Sequence, residues 1–337
     1  MKGYKSLSPL SIVEEECIET CTDSQSCKVK VTKALITLAD LLRFKGEIET
    51  KNVYLGSSGI GLISEASPNF FGLEKGKRVY IEPYSQCYEC YNCKNGEQTQ
   101  CSDLRLAGED FNGFLANFAC VNTDKLFLLP ESVSDFDALF VQHLSLAISM
   151  IDKLKVQKGD YVVVTGGSSL SNILSQLLIY YQAVPIYLST GTKDAQTAKD
   201  SGIYYVLDAK DNWIKEVSNI TGGRMAEKVA YITDSNITAS KIFTLVAYNA
   251  TVIFTGVYYN TSSVSFVKAI KKQSNIVCVN NGFGNTTTAI NLLANKAISL
   301  SHLDIATCKY SDVPKTFETL NAFFNKNGFI RETLVQI

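Results

Sequence analysis

The feature that most constrains this chain is a run of four cysteines within fifteen residues, spaced C-x2-C-x2-C-x7-C. The stretch is rich in Tyr, Asn, Lys, Glu and Gly, and it has too few apolar residues to fold by burial alone. Four thiolates placed tetrahedrally at about 2.3 Å close a structural zinc site and leave no open position for substrate. Disulfides or unrelated surface thiols are the alternatives, but so dense a cluster favours structural zinc. The predicted ligands are Cys87, Cys90, Cys93 and Cys101.

Composition and charge exclude several classes of partner. The 337 residues suffice for about two domains, and a hydrophobic content of 46% with a net charge of −1 describes an ordinary globular protein. Nothing in this balance points to nucleic acid or an anionic membrane surface. We find no signal-peptide h-region and no apolar run of about 20 residues. Ten cysteines without an export signal fit a reducing cytoplasm, so we expect Cys17, Cys21 and Cys27 to be free thiols, with a surface metal site as the alternative.

The sequence pattern changes near Lys158. Before it, alternating polar and apolar residues at 27–35 and 76–84 predict strands, and helical spacing predicts a helix over 135–154. After it, apolar strands and helices alternate, with one of the helices expected near 237–247, which predicts six parallel strands with crossover helices in a doubly wound sheet. From about Asn285, two amphipathic helices and a terminal strand follow, and we expect them to fold back onto the N-terminal domain.

On these segments the chain resembles the zinc-containing medium-chain alcohol dehydrogenases and reductases, which include sorbitol and threonine dehydrogenases. The resemblance spans almost the whole chain and rests on GLEKGKRVYIEPYSQCYECYNCKNGEQTQC, FNGFLANFACV and VQKGDYVVVTGG, among other segments. It implies an α/β fold in which residues 1–149 and 286–337 form a β-rich GroES-like domain with a structural-zinc lobe at 85–102. Residues 150–285 would form a Rossmann domain with a six-stranded parallel sheet. Relatives commonly dimerise or tetramerise, so the resemblance also implies a homo-oligomer.

The catalytic chemistry of that family matches poorly. Its members hold a catalytic zinc with a Cys in G-x-C-G-[ST]-D, the His of G-H-E, and a later Cys or Glu. Here LITLAD places Thr37 at the first position, GSSG places Ser57 at the second, and VQHL places Gln142 at the third. Neutral hydroxyls and an amide are poor zinc ligands. The resemblance therefore implies a divergent member with a vacant catalytic-zinc site, which closes the zinc-assisted route to hydride transfer.

Residues next to these three positions also differ from the family pattern. Ala39 replaces the family's proton-relay hydroxyl and Ser58 replaces the Glu of G-H-E, while Asp40 remains, with a mainly structural role in the family. His143 follows Gln142 directly, but adjacent residues on a helix point about 100° apart. We therefore expect His143 to be a core or interface histidine.

The family's cofactor turn, G-x-G-x-x-G, is also altered. Serines replace its second and third glycines, which normally admit the pyrophosphate and the close helix packing. A helix N-terminus with free N–H groups still favours phosphate, and serine hydroxyls can donate to it. The alternative is a structural turn that binds nothing. The candidate cofactor residues of this turn are Gly166, Gly167, Ser168, Ser169 and Leu170.

The residue after the second strand of this unit bears on cofactor choice. Members that prefer NAD carry an acid there for the ribose hydroxyls, whereas this chain has Ser189, with Lys193 nearby. A neutral residue beside a cation suits a 2′-phosphate, so NADPH is favoured over NADH if either binds. A solvated turn is the alternative.

Two functions remain open from sequence. One is a pseudoenzyme retained for binding a small molecule or a protein. The other is an NAD(P)-dependent oxidoreductase that acts on an alcohol or carbonyl without catalytic zinc. A metal-storage or nucleic-acid module is disfavoured, because the cysteine lobe lacks basic flanks and continues into a complete dehydrogenase-like chain.

Overall fold

The computed structural model describes residues 1–17, 21, 25–49, 51–67, 72–208, 210–233, 237–256 and 266–337. The strands are β1 (Lys2–Ser8), β2 (Ser11–Glu16), β3 (Ser26–Ile36), β4 (Ser58–Glu65), β5 (Arg78–Ile81), β6 (Tyr84–Ser85), β7 (Arg105–Leu106), β8 (Phe118–Asn122), β9 (Leu126–Leu128), β10 (Tyr161–Thr165), β11 (Val184–Leu188), β12 (Tyr205–Leu207), β13 (Ala226–Ile232), β14 (Val246–Thr255), β15 (Asn275–Cys278), β16 (Ala306–Lys309) and β17 (Thr333–Gln336). The helices are α1 (Leu38–Lys45), α2 (Tyr91–Lys94), α3 (Asp135–Ala138), α4 (Val141–Leu154), α5 (Ser169–Tyr180), α6 (Thr192–Asp200), α7 (Trp213–Ile220), α8 (Ala239–Ile242), α9 (Val267–Lys271), α10 (Thr286–Ala294) and α11 (Val313–Asn327). None of these helices has the length and apolar character needed to cross a membrane.

Strand β3 organises the β-rich part of the chain. Its residues Cys27, Val29 and Val31 are buried, while Lys30 between them is exposed, the period-two pattern of a strand with one face in the core. On one side β3 pairs with β4, and the sheet continues through β5 to β9. On the other side its first half pairs with β8 and its second half with β17. Strand β3 therefore joins the C-terminal strand β17 to the strands of the N-terminal part of the chain.

The C-terminal segment returns to the N-terminal sheet, as expected from the sequence. Strand β17 pairs antiparallel with residues 33–36 of β3, and β16 adds in parallel beside β17. Helix α11 has Pro314 in its first turn and is followed by Gly328, which has φ +74°. Proline at a helix start and left-handed glycine after its end are typical boundary signals.

The predicted six-stranded parallel sheet is confirmed. Its strand order is β12-β11-β10-β13-β14-β15, and all five neighbouring pairs are parallel. The strand order reverses direction between β10 and β13. In open α/β sheets, ligands bind at the carboxyl ends of the strands beside such a reversal. The turn at Gly166 and Gly167 directly follows β10 and so lies at this point.

The chain divides into two compact units whose limits differ from the expected domains. The first contains Met1–Gln142, Thr286–Ala294 and Ile305–Ile337, and the second contains His143–Asn285 and Asn295–Asp304. The sequence-based prediction places the first boundary after residue 149 and assigns all of 286–337 to the first domain.

Two local contacts explain these shifts. Helix α4 runs without interruption from Val141 to Leu154, so the boundary lies in its first turn, after Gln142, and residues 143–149 stay with most of the helix. The segment 295–304 joins the second unit because Gln176 of α5 hydrogen-bonds to both the N–H and the carbonyl of Ser299, at 2.8 Å each.

Two predicted helices are corrected. The helix predicted over 135–154 is broken into α3 and α4, which begin at Asp135 and Val141. The helix predicted near 237–247 is reduced to the four residues of α8, because β14 already begins at Val246. Strand pairing in the parallel sheet overrides the local helical spacing there.

The expectation that Cys21 is a free thiol is wrong. Cys21 forms a disulfide with Cys120, across a sequence separation of 99 residues. Cys120 lies on β8, which pairs with the start of β3, and Cys21 precedes β3 by five residues. Cys17 and Cys27 remain free thiols. This long-range pairing has no signature in the local spacing of the cysteines.

Glu82 is a buried acid in the first unit, with 5% of its surface exposed. The Thr286 hydroxyl donates a hydrogen bond to its Oε2. Burial raises the pKa of Glu82 to about 7, although the hydrogen bond from Thr286 and the charge of Lys125 act in the opposite direction. The folded protein therefore holds this proton more tightly than the unfolded chain does.

This proton should make stability depend on pH. Between pH 4.5, the ordinary pKa, and about 7, the folded state binds more protons, so the free energy of unfolding falls as pH rises and levels off above 7. The fall attributable to Glu82 should be about 3 kcal/mol. Urea unfolding at pH 5 and pH 8 should show that Glu82→Gln loses this part of the pH dependence, while the exposed-site control Glu131→Gln keeps it. Equal pH dependence in wild type and Glu82→Gln would contradict the prediction.

Candidate functional site

Thr37 lies at the junction between β3 and α1, where it caps the helix. The Asp40 side chain accepts hydrogen bonds from the Thr37 N–H and hydroxyl, both at 2.9 Å, through Oδ2. Its Oδ1 accepts the N–H of Gly56 at 2.8 Å, and Asp40 is 1% exposed. Asp40 therefore ties the Thr37 turn to the segment that carries Ser57, which gives it a structural role.

Ser57 and Gln142 meet directly. The Ser57 Oγ lies 3.5 Å from the Gln142 Oε1, and the Gln142 Nε2 donates to the hydroxyl of Tyr84 at 3.3 Å. The adjacent Ser58 donates to the carbonyl of Leu139 at 2.6 Å. The structure thus brings two of the three replaced zinc positions into contact and links the third, Thr37, through Asp40.

This group does not fit a zinc ion. Its donor atoms are two neutral hydroxyls and one amide, and these already have hydrogen-bonding partners within the protein. Zinc in proteins prefers thiolate, imidazole and carboxylate donors. Within the described ranges, the single group of His, Cys, Asp and Glu side chains that could hold a metal is the cysteine cluster of residues 87–101. His143 is not part of it.

The cysteine cluster does fit a tetrahedral ion. All four sulfurs lie within 4.8 Å of one another. The Sγ of Cys87 lies 3.9 Å from that of Cys93 and 3.5 Å from that of Cys101, close to the ~3.8 Å edge of a tetrahedron with zinc–sulfur bonds of about 2.3 Å. The N–H groups of Cys90 and Cys93 point at the sulfurs of Cys87 and Cys90. Helix α2 and the turn at Gly96 wrap the loop around this centre.

The thiols of this cluster also favour a cation electrostatically. The backbone N–H groups of Cys93 and Ser102 lower the pKa of Cys90 to about 5. Burial and hydrogen bonds from the neighbouring sulfurs raise the pKa of Cys93 to about 12. Thiols this close together cannot all ionise unless a cation compensates their charge.

In the second unit, the turn after β10 keeps two glycines for steric reasons. A Cβ on Gly166 would lie 2.5 Å from the Tyr187 ring, and Gly167 has φ +98°. The Tyr187 hydroxyl accepts the N–H of Gly167 at 3.2 Å and donates to Asp194 at 2.7 Å. One backbone donor of the turn is thus already satisfied by a buried side chain.

The two serines at the family's glycine positions, Ser168 and Ser171, hydrogen-bond to each other within the turn. Ser168 caps α5 by accepting the N–H of Ser171 at 3.3 Å, and the two hydroxyls lie 2.9 Å apart. The N–H groups of Ser169 and Leu170 have no partner in the part of the chain that the structure describes. These two donors at the start of a twelve-residue helix fit a phosphate.

Ser189 and Lys193, the residues predicted to favour NADPH, have different surroundings. The Ser189 hydroxyl is fully buried and has no hydrogen-bond partner among the described residues. The Lys193 ammonium lies 2.5 Å from the carboxylate of Asp304. Asp194 binds both the N–H and the hydroxyl of Thr190, at 2.8 and 3.1 Å. A carboxylate therefore stands beside the place where a 2′-phosphate was expected.

Sequence reasoning missed Tyr187 and Asp194. A tyrosine within the buried strand VPIYL was the available signal, because a buried phenol usually finds a hydrogen-bonding partner. Its partner Asp194 lies in the first turn of the following helix. An acidic residue is common there because it interacts favourably with the helix dipole, so nothing in the sequence indicated a further role.

Comparison with known proteins places the fold. Residues 23–131 match the model of the alcohol dehydrogenase GroES-like domain. An uncharacterized zinc-type alcohol dehydrogenase-like protein of Haemophilus influenzae is 23% identical, covering 78% of this chain and 75% of its own. Sorbitol dehydrogenase of Halalkalibacterium halodurans is 27% identical over 78% of each chain. A solved putative zinc-binding dehydrogenase of Sinorhizobium meliloti 1021, bound to NADP, has a TM-score of 0.88 at 19% identity, covering 100% of this chain and 99% of its own.

The chain combines a GroES-like domain with a parallel Rossmann-like sheet. A structure described as an alcohol dehydrogenase of Escherichia coli CFT073, complexed with NADH, shares this fold with a TM-score of 0.86 at 21% identity over 100% of this chain and 99% of its own. Residues 23–131 therefore form an alcohol dehydrogenase GroES-like domain, and the chain is similar to zinc-type alcohol dehydrogenase-like proteins over about three quarters of its length.

Proposed function

We propose that this chain is a family member that keeps one structural zinc in its cysteine lobe and has no catalytic zinc. It lacks ordinary alcohol dehydrogenase activity and serves in binding. The observation that carries this proposal is the hydrogen-bonded contact between Ser57 and Gln142, which uses family zinc positions as partners for each other. A catalytic zinc lowers the pKa of a bound alcohol or polarises a carbonyl, and these residues supply no substitute for that charge.

An activity assay tests the proposal. Purified protein should show no oxidation of sorbitol, threonine or ethanol above the no-enzyme rate, with NAD or NADP, from pH 7 to pH 9. A zinc-dependent sorbitol dehydrogenase assayed beside it serves as the positive control. Turnover that a chelator abolishes would overturn the claim that the catalytic-zinc position is vacant.

A second candidate is an NAD(P)-dependent oxidoreductase that works without catalytic zinc. The two N–H groups of Ser169 and Leu170, with the left-handed Gly167, favour it, because they leave a phosphate-binding corner at the carboxyl end of β10. When bound, the nicotinamide would supply or accept the hydride. The chain's own part would be to hold the pyrophosphate at this turn.

We further propose that the cofactor, where one binds, is NADPH rather than NADH. Lys193 is the cation available for a 2′-phosphate, and its exposed pair with Asp304 is worth only about 0–1 kcal/mol, so it can exchange partners. The negative charge of Asp194 opposes the binding of a 2′-phosphate and so disfavours NADPH.

Calorimetric titration tests this preference. NADPH should bind about fivefold more tightly than NADH. Asp304→Asn should widen the difference, Lys193→Met should remove it, and the exposed Lys199→Met on the same helix should leave it unchanged. Tighter binding of NADH to wild type would refute the preference. Saturable binding of neither would support the pseudoenzyme over the oxidoreductase.

A homo-oligomer formed through the edge of the parallel sheet is also proposed. Strand β15 lies at that edge, with Ile276 on it 42% exposed, and an edge strand offers unpaired backbone groups to a second copy. The cysteine lobe, with Tyr91 81% exposed, is the other candidate surface. Light scattering that gives a monomer mass at micromolar concentration would exclude both.

We propose the cytoplasm as the compartment. Eight of the ten cysteines are free thiols, which supports a reducing compartment, whereas the Cys21–Cys120 disulfide is unusual for one.

A further inference from the structure

The first unit contains a cavity of about 250 Å³ that is distinct from the replaced zinc site. Neither Thr37, Ser57 nor Gln142 lines it. Tyr84 connects the two places, because its side chain lines the cavity and its hydroxyl accepts the hydrogen bond from Gln142. The cavity has no role in the function proposed above.

Its walls combine aromatic rings with charged groups. Phe111, Phe114 and Phe118 supply the rings, and Glu82 and Lys125 supply buried charged side chains that are 5% and 7% exposed. Ligand pockets are typically apolar cavities with a few polar groups that fix orientation. A cavity of this size admits a small planar molecule.

Glu82 is a buried carboxyl group among the residues that line the cavity, with 5% of its surface exposed. Its Oε2 accepts the Thr286 hydroxyl, which fixes the orientation of the side chain. A carboxyl group among the residues that line a cavity can hydrogen-bond to a ligand or to water.

Two cations give the cavity its charge preference. The Lys125 ammonium bonds to the Gln86 side chain and lies 3.3 Å from Asp124. Arg105 lines the cavity as well and is more exposed, 3.2 Å from Asp103. Because charge-assisted hydrogen bonds to carboxylates are stronger than neutral ones, these groups favour an anionic ligand.

We propose that this cavity binds a small aromatic carboxylate, with its ring among the phenylalanines and its carboxylate toward Lys125 and Arg105. Offset or edge-to-face contacts between the ligand ring and the phenylalanine rings stabilise it in the apolar part. The protonated Glu82 carboxyl donates a hydrogen bond to the ligand carboxylate.

Binding should weaken as pH rises. Below about 7 the Glu82 carboxyl is neutral and can donate, and above 7 its negative charge repels the ligand. The groups that face Glu82 are Lys125, Thr286 and Tyr80, and of these Lys125 is the cation.

Calorimetric titration with benzoate tests the proposal, with benzyl alcohol as the neutral analogue. At pH 6, benzoate should bind saturably with one site per chain, and benzyl alcohol at least about tenfold more weakly. Lys125→Met should weaken benzoate binding about tenfold, while the exposed Lys75→Met should have no effect. Benzoate affinity should fall between pH 6 and pH 8 in wild type and stay constant in Glu82→Gln.

Ala119→Leu provides a variant that keeps every charge. Ala119 lines the cavity from β8, so a larger side chain there should abolish benzoate binding by filling the space. If circular dichroism shows that Lys125→Met is unfolded, benzoate binding to Ala119→Leu still tests whether the ligand lies in this cavity. Equal binding of benzoate and benzyl alcohol, unchanged binding in Ala119→Leu, or no saturable binding to wild type at 20 mM benzoate would each overturn the proposal.

Discussion

Elemental analysis of the purified protein is expected to find one zinc ion per chain, and Cys93→Ser is expected to lose it. Cys93 is the buried member of the four cysteines, and its sulfur lies 3.9 Å from that of Cys87. Serine cannot supply a thiolate, so the remaining three sulfurs would hold the ion in an incomplete shell. Binding free energies of structural zinc reach about 10–16 kcal/mol in small zinc domains, so losing one ligand should reduce occupancy strongly.

The measurement needs a control that loses a cysteine elsewhere. Cys278→Ser removes an exposed thiol on β15 of the other unit and should keep one zinc per chain. Two zinc ions per wild-type chain would contradict the vacancy at Thr37, Ser57 and Gln142. No zinc in wild-type protein, after preparation without chelators, would contradict the structural-zinc site.

Loss of zinc should act on folding of the lobe rather than on the dinucleotide turn. The lobe is held by α2, the turn at Gly96 and the short pairing of β6 with β7, which together bury little apolar surface. Without the ion, the cysteine loop has little to hold it in shape. The thermal transition of Cys93→Ser should therefore fall, while nucleotide titrations of the second unit give the wild-type result.

The parallel sheet could be predicted from the sequence because each of its strands is a short apolar run bounded by turn residues. Runs such as YVVVT and VPIYL are buried on both faces, so they can be recognised as strands from the local sequence alone. The disulfide of Cys21 and the place of segment 295–304 could not be predicted, because both depend on contacts between residues about a hundred positions apart.

The candidate site was also predictable from the sequence only in part. Residue types showed that Thr37, Ser57 and Gln142 are poor zinc ligands, since ligand chemistry belongs to each side chain alone. What those side chains do instead depends on their neighbours. The bond from Gln142 to Tyr84 and the tie from Asp40 to Gly56 join segments that are distant in sequence, so they appear only in the structure.

Rebuilding the zinc shell is expected to add a second metal ion. In Thr37→Cys, Ser57→His and Gln142→Glu combined, the three positions supply a thiolate, an imidazole and a carboxylate, with one position open. Ser57 and Gln142 already lie 3.5 Å apart at their side-chain oxygens, which is near the spacing of two ligands on one zinc. The Tyr84 hydroxyl could then donate to the new carboxylate and orient it.

Metal uptake should come without appreciable alcohol oxidation. Groups that orient zinc ligands are commonly worth about 10–100-fold in affinity or activity, and Ala39 and Ser58 still replace the family's relay hydroxyl and glutamate. Turnover should therefore require Ala39→Ser and a repaired glycine turn, Ser168→Gly with Ser171→Gly. Because Ser168 caps α5, its change to glycine should cost only a few tenths of a kcal/mol.

Elemental analysis and cobalt substitution test whether the rebuilt site binds a metal ion. The triple variant should contain two zinc ions per chain, and the cobalt spectrum should gain a component from a mixed sulfur, nitrogen and oxygen site beside the four-thiolate one. Thr37→Cys alone serves as the control and should still contain one zinc. A triple variant that folds, keeps the lobe zinc and takes up no second ion would show that these three positions do not converge on one metal. Their assignment as the remains of a catalytic-zinc shell would then be wrong.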